Sequence, residues 1–112
     1  MANENTTVCE LTSENFDEKI SKNKGYSVVD FFAPWCGPCR MMAPYFEEIS
    51  KEVDSVSFFK LDTEKYSDLA IKFRVINIPC FILFKDGSAI ATKVGGSTKS
   101  ALKDWIVENT KK

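Results

Sequence analysis

The sequence has no histidine and only five glycines and four prolines in 112 residues. The scarcity of glycine and proline excludes collagen-like and disordered classes of protein. No stretch approaches the ~18 consecutive apolar residues of a membrane helix, and the first residues lack the basic and apolar regions of a signal peptide. Lysine and arginine together number 15 against 16 aspartates and glutamates, so a basic excess suited to nucleic acid is missing. The sequence therefore predicts a cytoplasmic protein that contacts neither nucleic acid nor a membrane.

The apolar content of the chain is sufficient for one folded domain. Hydrophobic residues make up 44% of the sequence, and there is no internal repeat, low-complexity tract or linker. A chain of this length buries about two thirds of its unfolded surface, which is enough for a core without disulfide bonds. We therefore predict a single domain over residues 1–112, with its folded part running from about Thr7 to Asn109.

The spacing of apolar residues predicts strands and helices in alternation, followed by a hairpin and a closing helix. Strands are predicted at residues 8–11, 27–33, 56–61, 80–84 and 89–94. Helices are predicted after Thr12, after Cys39, over residues 67–73 and around Trp105. Asp86 and Gly87 separate the last two strands as a hairpin turn would. This order of elements predicts an α/β fold with a mixed sheet.

Four cysteines, Cys9, Cys36, Cys39 and Cys80, are too few for a disulfide scaffold. The close pair Cys36 and Cys39 instead indicates catalysis or metal binding. The pair lies where a predicted strand ends and a helix begins, and a helix N-terminus favours negative charge. We therefore expect a thiolate on Cys36, the species that attacks disulfides. Cys39, one turn further on, is close enough to bond with it and is expected to be more buried.

The same pair of cysteines is also half of a zinc site. In a chain without histidine or a second such pair, only Cys9 and Cys80 remain as further ligands. Zinc sites rarely space their ligands in this way, so metal binding is the weaker alternative and we predict no metal.

The segment Trp35-Cys36-Gly37-Pro38-Cys39 resembles the active-site motif of the thioredoxin family. The likeness extends over nearly the whole chain and includes residues 28–33, 59–62, 78–79, 84–87 and 94–95. It implies the thioredoxin fold, a central mixed β-sheet flanked by helices on both faces. It also implies a protein-disulfide reductase in which Cys36 is the nucleophile and Cys39 resolves the mixed disulfide.

The resemblance further implies which molecules this chain meets. Its substrates would be disulfide-containing proteins, and a thioredoxin reductase would be its electron donor. No metal or organic cofactor is implied, and the chain has no dinucleotide-binding motif of its own. We expect a monomer.

Asp30 lies inside an apolar strand, where loss of hydration is expected to raise its pKa. A structural ion pair with Lys60 is one interpretation of this carboxylate. The resemblance favours another, in which Asp30 takes part in proton transfer when Cys39 attacks the mixed disulfide and Lys60 modulates it.

A substrate-binding surface around Cys36 is a further implication of the resemblance. Thioredoxins have a cis-proline at the position of Pro79, which would expose the Ile78 backbone to a substrate strand. The surface would be apolar and uncharged, formed by Trp35, Gly37, Pro38, Ile78, Pro79 and Gly95. For Trp35 considered alone, packing in the core is an equally good interpretation.

Two positions depart from the common thioredoxin pattern. Phe32 stands where many members have a second tryptophan, a change of aromatic filler that we expect to matter little. Cys80 stands where threonine usually follows the cis-proline. A regulatory thiol at Cys80, open to oxidation or to exchange with Cys36, is one hypothesis, and a small apolar filler is the other. Cys9 is expected to be inert core.

Two other classes of function stay open on the sequence. One is an oxidase or isomerase of secreted proteins on the same fold, which the missing export signal disfavours. The other is a binding module, either a metal holder that uses the four thiols or a non-enzymatic subunit.

Overall fold

A five-stranded mixed β-sheet is the central layer of the computed structural model, which describes residues 7–111. The predicted domain bounds, 1–112, extend beyond the described residues at both ends. The strands are β1 (Val8–Glu10), β2 (Tyr26–Phe32), β3 (Val56–Asp62), β4 (Cys80–Lys85) and β5 (Ser88–Val94). Their order across the sheet is β1-β3-β2-β4-β5. The first three strands are parallel, whereas β4 runs antiparallel to β2 and β5 antiparallel to β4.

Helical segments cover both faces of this sheet. They are a π-helical segment (Asp17–Ser21), α1 (Gly37–Glu52), α2 (Ser67–Lys72) and α3 (Lys99–Asn109). Apolar residues of α1 and α3 form one core cluster with residues of the sheet. Apolar residues of the π-helical segment and α2 form a second cluster with the sheet. The predicted α/β fold with a mixed sheet and helices on both faces is therefore confirmed.

The first predicted helix is present in position but differs in kind. Thr12 begins a turn, because its hydroxyl accepts a hydrogen bond from the Asn15 backbone N–H at 3.1 Å. At the end of the following segment, the Lys22 N–H donates to the carbonyl of Asp17, five residues earlier. This hydrogen-bond spacing is that of a π-helix. Its buried residue, Ile20, lies one turn from buried Phe16, and no apolar residue follows until the next strand. The spacing of Phe16 and Ile20, four residues apart, predicted an α-helix, but two apolar residues on one turn fit a π-helix as well.

The end of the sheet at which β2 and β3 finish is where four chain segments meet. Because β2 and β3 are parallel, residues 33–36 and 63–66 leave the sheet at the same end. The neighbouring strand β4 runs in the opposite direction, so Pro79 enters the sheet at this end, and β5 leaves it here at Gly95. The topology thus brings the cysteine motif and the predicted substrate-binding residues, which are distant in the sequence, to the same end of the sheet.

The turn between β4 and β5 packs closely against the π-helical segment at Gly87. Gly87 has a φ of +87°, and a Cβ there would clash with the Ser21 carbonyl oxygen and lie 3.1 Å from its carbon. Gly25 has a similar φ of +93° but has open space around its Cβ position. We expect Gly87→Ala to lower the free energy of unfolding by about 2–4 kcal/mol, because backbone strain and overpacking add.

Gly25→Ala is the matched control for this substitution, since it carries the backbone strain alone, about 1–2 kcal/mol. Urea unfolding of both variants measures the difference between them. Equal destabilisation by the two substitutions would show that the contact with Ser21 is not tight.

Candidate active site

Cys36 and Cys39 form a disulfide at the start of α1, and their Cα atoms are 5.2 Å apart. Cys36 is the N-cap residue, with extended backbone angles, and Gly37 opens the helix. The Cys36 Sγ accepts a hydrogen bond from the Cys39 backbone N–H at 3.2 Å. Pro38 lies in the first helical turn, where its lack of an N–H breaks no helical hydrogen bond.

Burial by itself hardly distinguishes the two cysteines. Cys36 is 5% exposed and Cys39 is 3% exposed in this oxidised form. The hydrogen bond distinguishes them better, because a backbone N–H at a helix N-terminus stabilises negative charge on the sulfur that it contacts. Only the Cys36 sulfur receives that bond from the helix backbone in the described part of the chain.

Asp30 lies in the middle of β2, between Lys60 of β3 and Phe81 of β4. Its carboxylate is buried, and the Oδ1 atom has no hydrogen-bond partner among residues 7–111. Burial raises the pKa of Asp30 to about 7, and the nearby positive charge of Lys60 only partly opposes this effect. A carboxyl group with this pKa can gain or lose a proton near neutral pH.

Asp30 and Cys39 line the same cavity, which has a volume of about 290 Å³. The other lining residues are Phe32, Ala33, Pro34, Arg40, Ala43 and Lys60. The structure therefore brings the three predicted residues Asp30, Cys39 and Lys60 together around one cavity.

The predicted substrate-binding residues from the second half of the chain also lie at the disulfide. The Ile78–Pro79 peptide bond is cis, as the resemblance implies. Ile78 packs against the buried cluster of Ala33, Cys36 and Cys39. The Pro79 carbonyl accepts a hydrogen bond from the Gly95 N–H at 2.8 Å. This bond links the loop after β5 to the loop before β4.

Trp35 lies at the surface, so the interpretation of Trp35 as a core residue is wrong. Its side chain is 65% exposed, and Gly37 and Pro38 beside the disulfide are exposed as well. The indole Nε1 donates a hydrogen bond to the Glu64 carboxylate at 3.0 Å.

Glu64 and Arg40 are two residues of this site that the sequence did not reveal. Arg40 donates from its guanidinium to the Pro34 carbonyl at 3.0 Å, next to Trp35 in the chain. Glu64 is a single charged residue whose partner, the Trp35 indole, lies 29 positions away in the sequence. Arg40 follows the motif directly, and its partner is a backbone carbonyl six positions earlier. No local pattern signals such contacts.

The two remaining cysteines differ in their surroundings. Cys80 is buried, and burial together with the charge of Asp30 raises the pKa of its thiol. These features favour the filler interpretation, and the regulatory role of Cys80 stays a prediction. Cys9 is exposed, so the expectation that it belongs to the core is wrong. In the short strand β1, Val8 occupies the buried position and Cys9 points to the other face.

Alkylation of the oxidised protein is expected to distinguish these two thiols. Iodoacetamide should modify Cys9 in the native state, because its thiol is exposed. Cys80 should react only after denaturation, because it is buried and its thiolate is disfavoured. Peptide mass spectrometry measures both sites. Equal labelling of the two thiols in the native protein would support the regulatory hypothesis for Cys80.

Neither a metal-ligand cluster nor a membrane-spanning helix is found in the described part of the chain. Across residues 7–111, no three or more potential metal ligands lie together, so the metal-holder interpretation has no ligand set there. Within the same range, none of the helices combines the length and the apolar character that crossing a bilayer requires.

Comparison with known proteins places this site in a family. A family profile described as Thioredoxin matches residues 7–108. The chain is 41% identical over 103 residues to "Thioredoxin" of Buchnera aphidicola subsp. Acyrthosiphon pisum, an alignment that covers 91% of this chain and 95% of that protein. It is 42% identical over 98 residues to "Thioredoxin-1" of Saccharomyces cerevisiae, covering 88% and 93% of the two chains. The chain belongs to the thioredoxin family and is a thiol-disulfide oxidoreductase that acts on protein disulfides.

Proposed function

We propose that this chain is a protein-disulfide reductase that cycles Cys36 and Cys39 between dithiol and disulfide. The observation that carries the proposal is the placement of the Cys36 sulfur as the N-cap of α1, with Cys39 one turn behind it. In the reduced chain this arrangement favours a thiolate on Cys36, which is the nucleophile of disulfide exchange.

The reaction proceeds in two exchanges. The Cys36 thiolate attacks one sulfur of the substrate disulfide, and the other substrate sulfur leaves and takes up a proton. Cys39 then loses its proton and attacks the Cys36 sulfur of the mixed disulfide, which releases the second substrate thiol. Two electrons pass from the dithiol of this chain to the substrate, and Cys36 and Cys39 end as the observed disulfide.

Asp30 accepts the proton that Cys39 loses in the second exchange. Its pKa of about 7 allows the carboxyl group to exchange protons at neutral pH, and it shares a cavity with Cys39. Lys60 modulates this step, because its positive charge lowers the pKa that burial raises.

Substrates dock on the apolar surface around the disulfide. That surface comprises Trp35, Gly37, Pro38, Ile78, Pro79 and Gly95, and it carries no formal charge. An extended substrate segment can pair with the backbone at Ile78, next to the attacking sulfur. The chain would act in the cytoplasm as a single-domain monomer, without a bound cofactor, and a thioredoxin reductase would restore its dithiol.

A redox titration of the Cys36–Cys39 pair against glutathione tests the direction of transfer. A reductase is expected to have a potential several tens of millivolts below that of glutathione, and ~30 mV corresponds to a tenfold change in equilibrium. The titration uses the double variant Cys9→Ser, Cys80→Ser, so that Cys36 and Cys39 are the only cysteines in the chain. A potential above that of glutathione would contradict the proposal and favour the oxidase or isomerase alternative.

A further inference from the structure

The side chain of Trp35 is held in place by a contact from another segment of the chain. Although the ring is 65% exposed, its Nε1 donates to Oε2 of Glu64 at 3.0 Å. A hydrogen bond to a charged acceptor is stronger than one between neutral groups. The indole therefore has a defined position beside Cys36, where an exposed side chain would otherwise sample several rotamers.

Glu64 can fix the indole because its own backbone is anchored. The buried carboxylate of Asp62 accepts the Glu64 N–H at 2.9 Å. Thr63 donates both its backbone N–H and its hydroxyl to the Phe32 carbonyl, at 2.8 and 3.0 Å. Phe32 ends β2, the strand that leads into the cysteine motif. The loop after β3 is thus attached to the same strand that leads to the nucleophile.

We propose that Glu64 is a positioning residue for protein substrates and acts through Trp35. It holds the indole ring as one wall of the docking surface, so that a protein partner meets a surface that is already ordered. This inference rests on the proposed function. Ordering a side chain before binding lowers the entropy lost on association, so Glu64 should affect KM more than kcat.

Three substitutions separate this role from others. Glu64→Ala removes the acceptor, whereas Glu64→Gln keeps an acceptor oxygen and removes the charge. Trp35→Phe keeps an aromatic ring but has no N–H to donate. Glu18→Ala, at an exposed carboxylate of the π-helical segment, is the control for loss of one negative charge.

Kinetics with two kinds of disulfide provide the first measurement. The substrates are insulin and bis(hydroxyethyl) disulfide, with dithiothreitol as the reductant that regenerates the dithiol. We expect Glu64→Ala to raise KM for insulin about fivefold, equivalent to about 1 kcal/mol, with kcat within about twofold. The small disulfide does not span the docking surface, so its rate should not change. Glu64→Gln and the Glu18→Ala control should stay within about twofold of the wild type.

Nuclear magnetic resonance provides the second measurement. In a proton–nitrogen correlation spectrum of the oxidised chain, Trp35→Phe identifies the Trp35 indole signal by its loss. Glu64→Ala is expected to shift that signal and Glu64→Gln to restore most of the shift. In the Trp35→Phe background, Glu64→Ala should cause no further rise in KM.

Four outcomes overturn the inference. An unchanged KM for insulin in Glu64→Ala overturns the positioning role, and so does an unchanged indole signal. A rise in KM that persists in the Trp35→Phe background shows that Glu64 acts by its charge and not through the indole. An inactive wild-type chain overturns the proposed function together with this inference, whereas an active wild type with an equally active Glu64→Ala overturns the inference alone.

Discussion

Cys36→Ser is expected to abolish reduction of protein disulfides by this chain, leaving only the slow direct reduction of the substrate by the dithiothreitol in the assay. A serine hydroxyl is not ionised at neutral pH, so the helix N-terminus has no thiolate to stabilise and the first exchange does not occur. Cys39 remains in this variant, but it lacks the N-cap position that stabilises a thiolate. Turnover of insulin by the full chain measures the loss, and Cys9→Ser is the control for removal of an exposed cysteine.

Cys39→Ser is expected to fail at the second exchange instead of the first. Cys36 still attacks, but no thiol follows to resolve the mixed disulfide, so covalent complexes with substrate should accumulate. Intact mass spectrometry under non-reducing conditions detects the complex, and dithiothreitol should release it. Free release of substrate by Cys39→Ser, or a stable complex formed by Cys36→Ser, would reverse the assigned order of attack.

Asp30→Asn is expected to stabilise the protein at neutral and alkaline pH. The native pKa of Asp30, about 7, lies above the ordinary value of 3.8. Between these two values the native state keeps a proton that the unfolded state releases, so stability falls as the pH rises. Above pH 7 the native state holds a buried charge. Replacing that charge with an amide should raise the free energy of unfolding by about 2–4 kcal/mol at pH 8.

The pH dependence identifies the carboxyl group as the source of this difference. At pH 3 the Asp30 carboxyl is protonated in both states, so Asp30→Asn and the wild type should have nearly equal stability. Urea unfolding at several pH values measures the effect, with exposed Asp54→Asn as the control. A gain in stability that is the same at pH 3 and pH 8 would contradict the raised pKa.

The same substitution tests the proton-transfer role of Asp30. Without an acceptor near Cys39, the second exchange should slow on the order of 100-fold, while the first exchange by Cys36 proceeds. Single-turnover kinetics that follow formation of the mixed disulfide and release of the substrate thiol separate the two steps. Equal rates of release in Asp30→Asn and the wild type would leave the buried carboxyl without this role.

The features predicted from the sequence are those encoded by local spacing. Continuous apolar runs identified the central strands, and Asp86-Gly87 identified the hairpin, because each pattern has a direct structural cause. The order of elements and the Cys36–Cys39 spacing then indicated a helix N-terminus bearing two thiols. Asp30 stood out because a charged residue in an apolar strand is rare and needs a reason.

The features that the sequence did not reveal depend on distance in space. The Trp35–Glu64 contact joins residues 29 positions apart, and neither residue type predicts it. The exposure of Cys9 depends on β1 being a three-residue edge strand, which apolar spacing alone does not show. The π-helical form of residues 17–21 was missed because a single buried turn fits either kind of helix.

The convergence of four chain segments at one end of the sheet links catalytic activity to the integrity of the entire fold. The loops before Cys36, around Glu64, before Pro79 and at Gly95 each depend on a different strand for their location. Damage far from the disulfide, such as a proteolytic cut that releases β5, would therefore abolish disulfide exchange by Cys36. In a denatured chain the two cysteines would react like those of a short flexible peptide. The rate at which a sample reduces protein disulfides therefore also measures the fraction of the protein that is native.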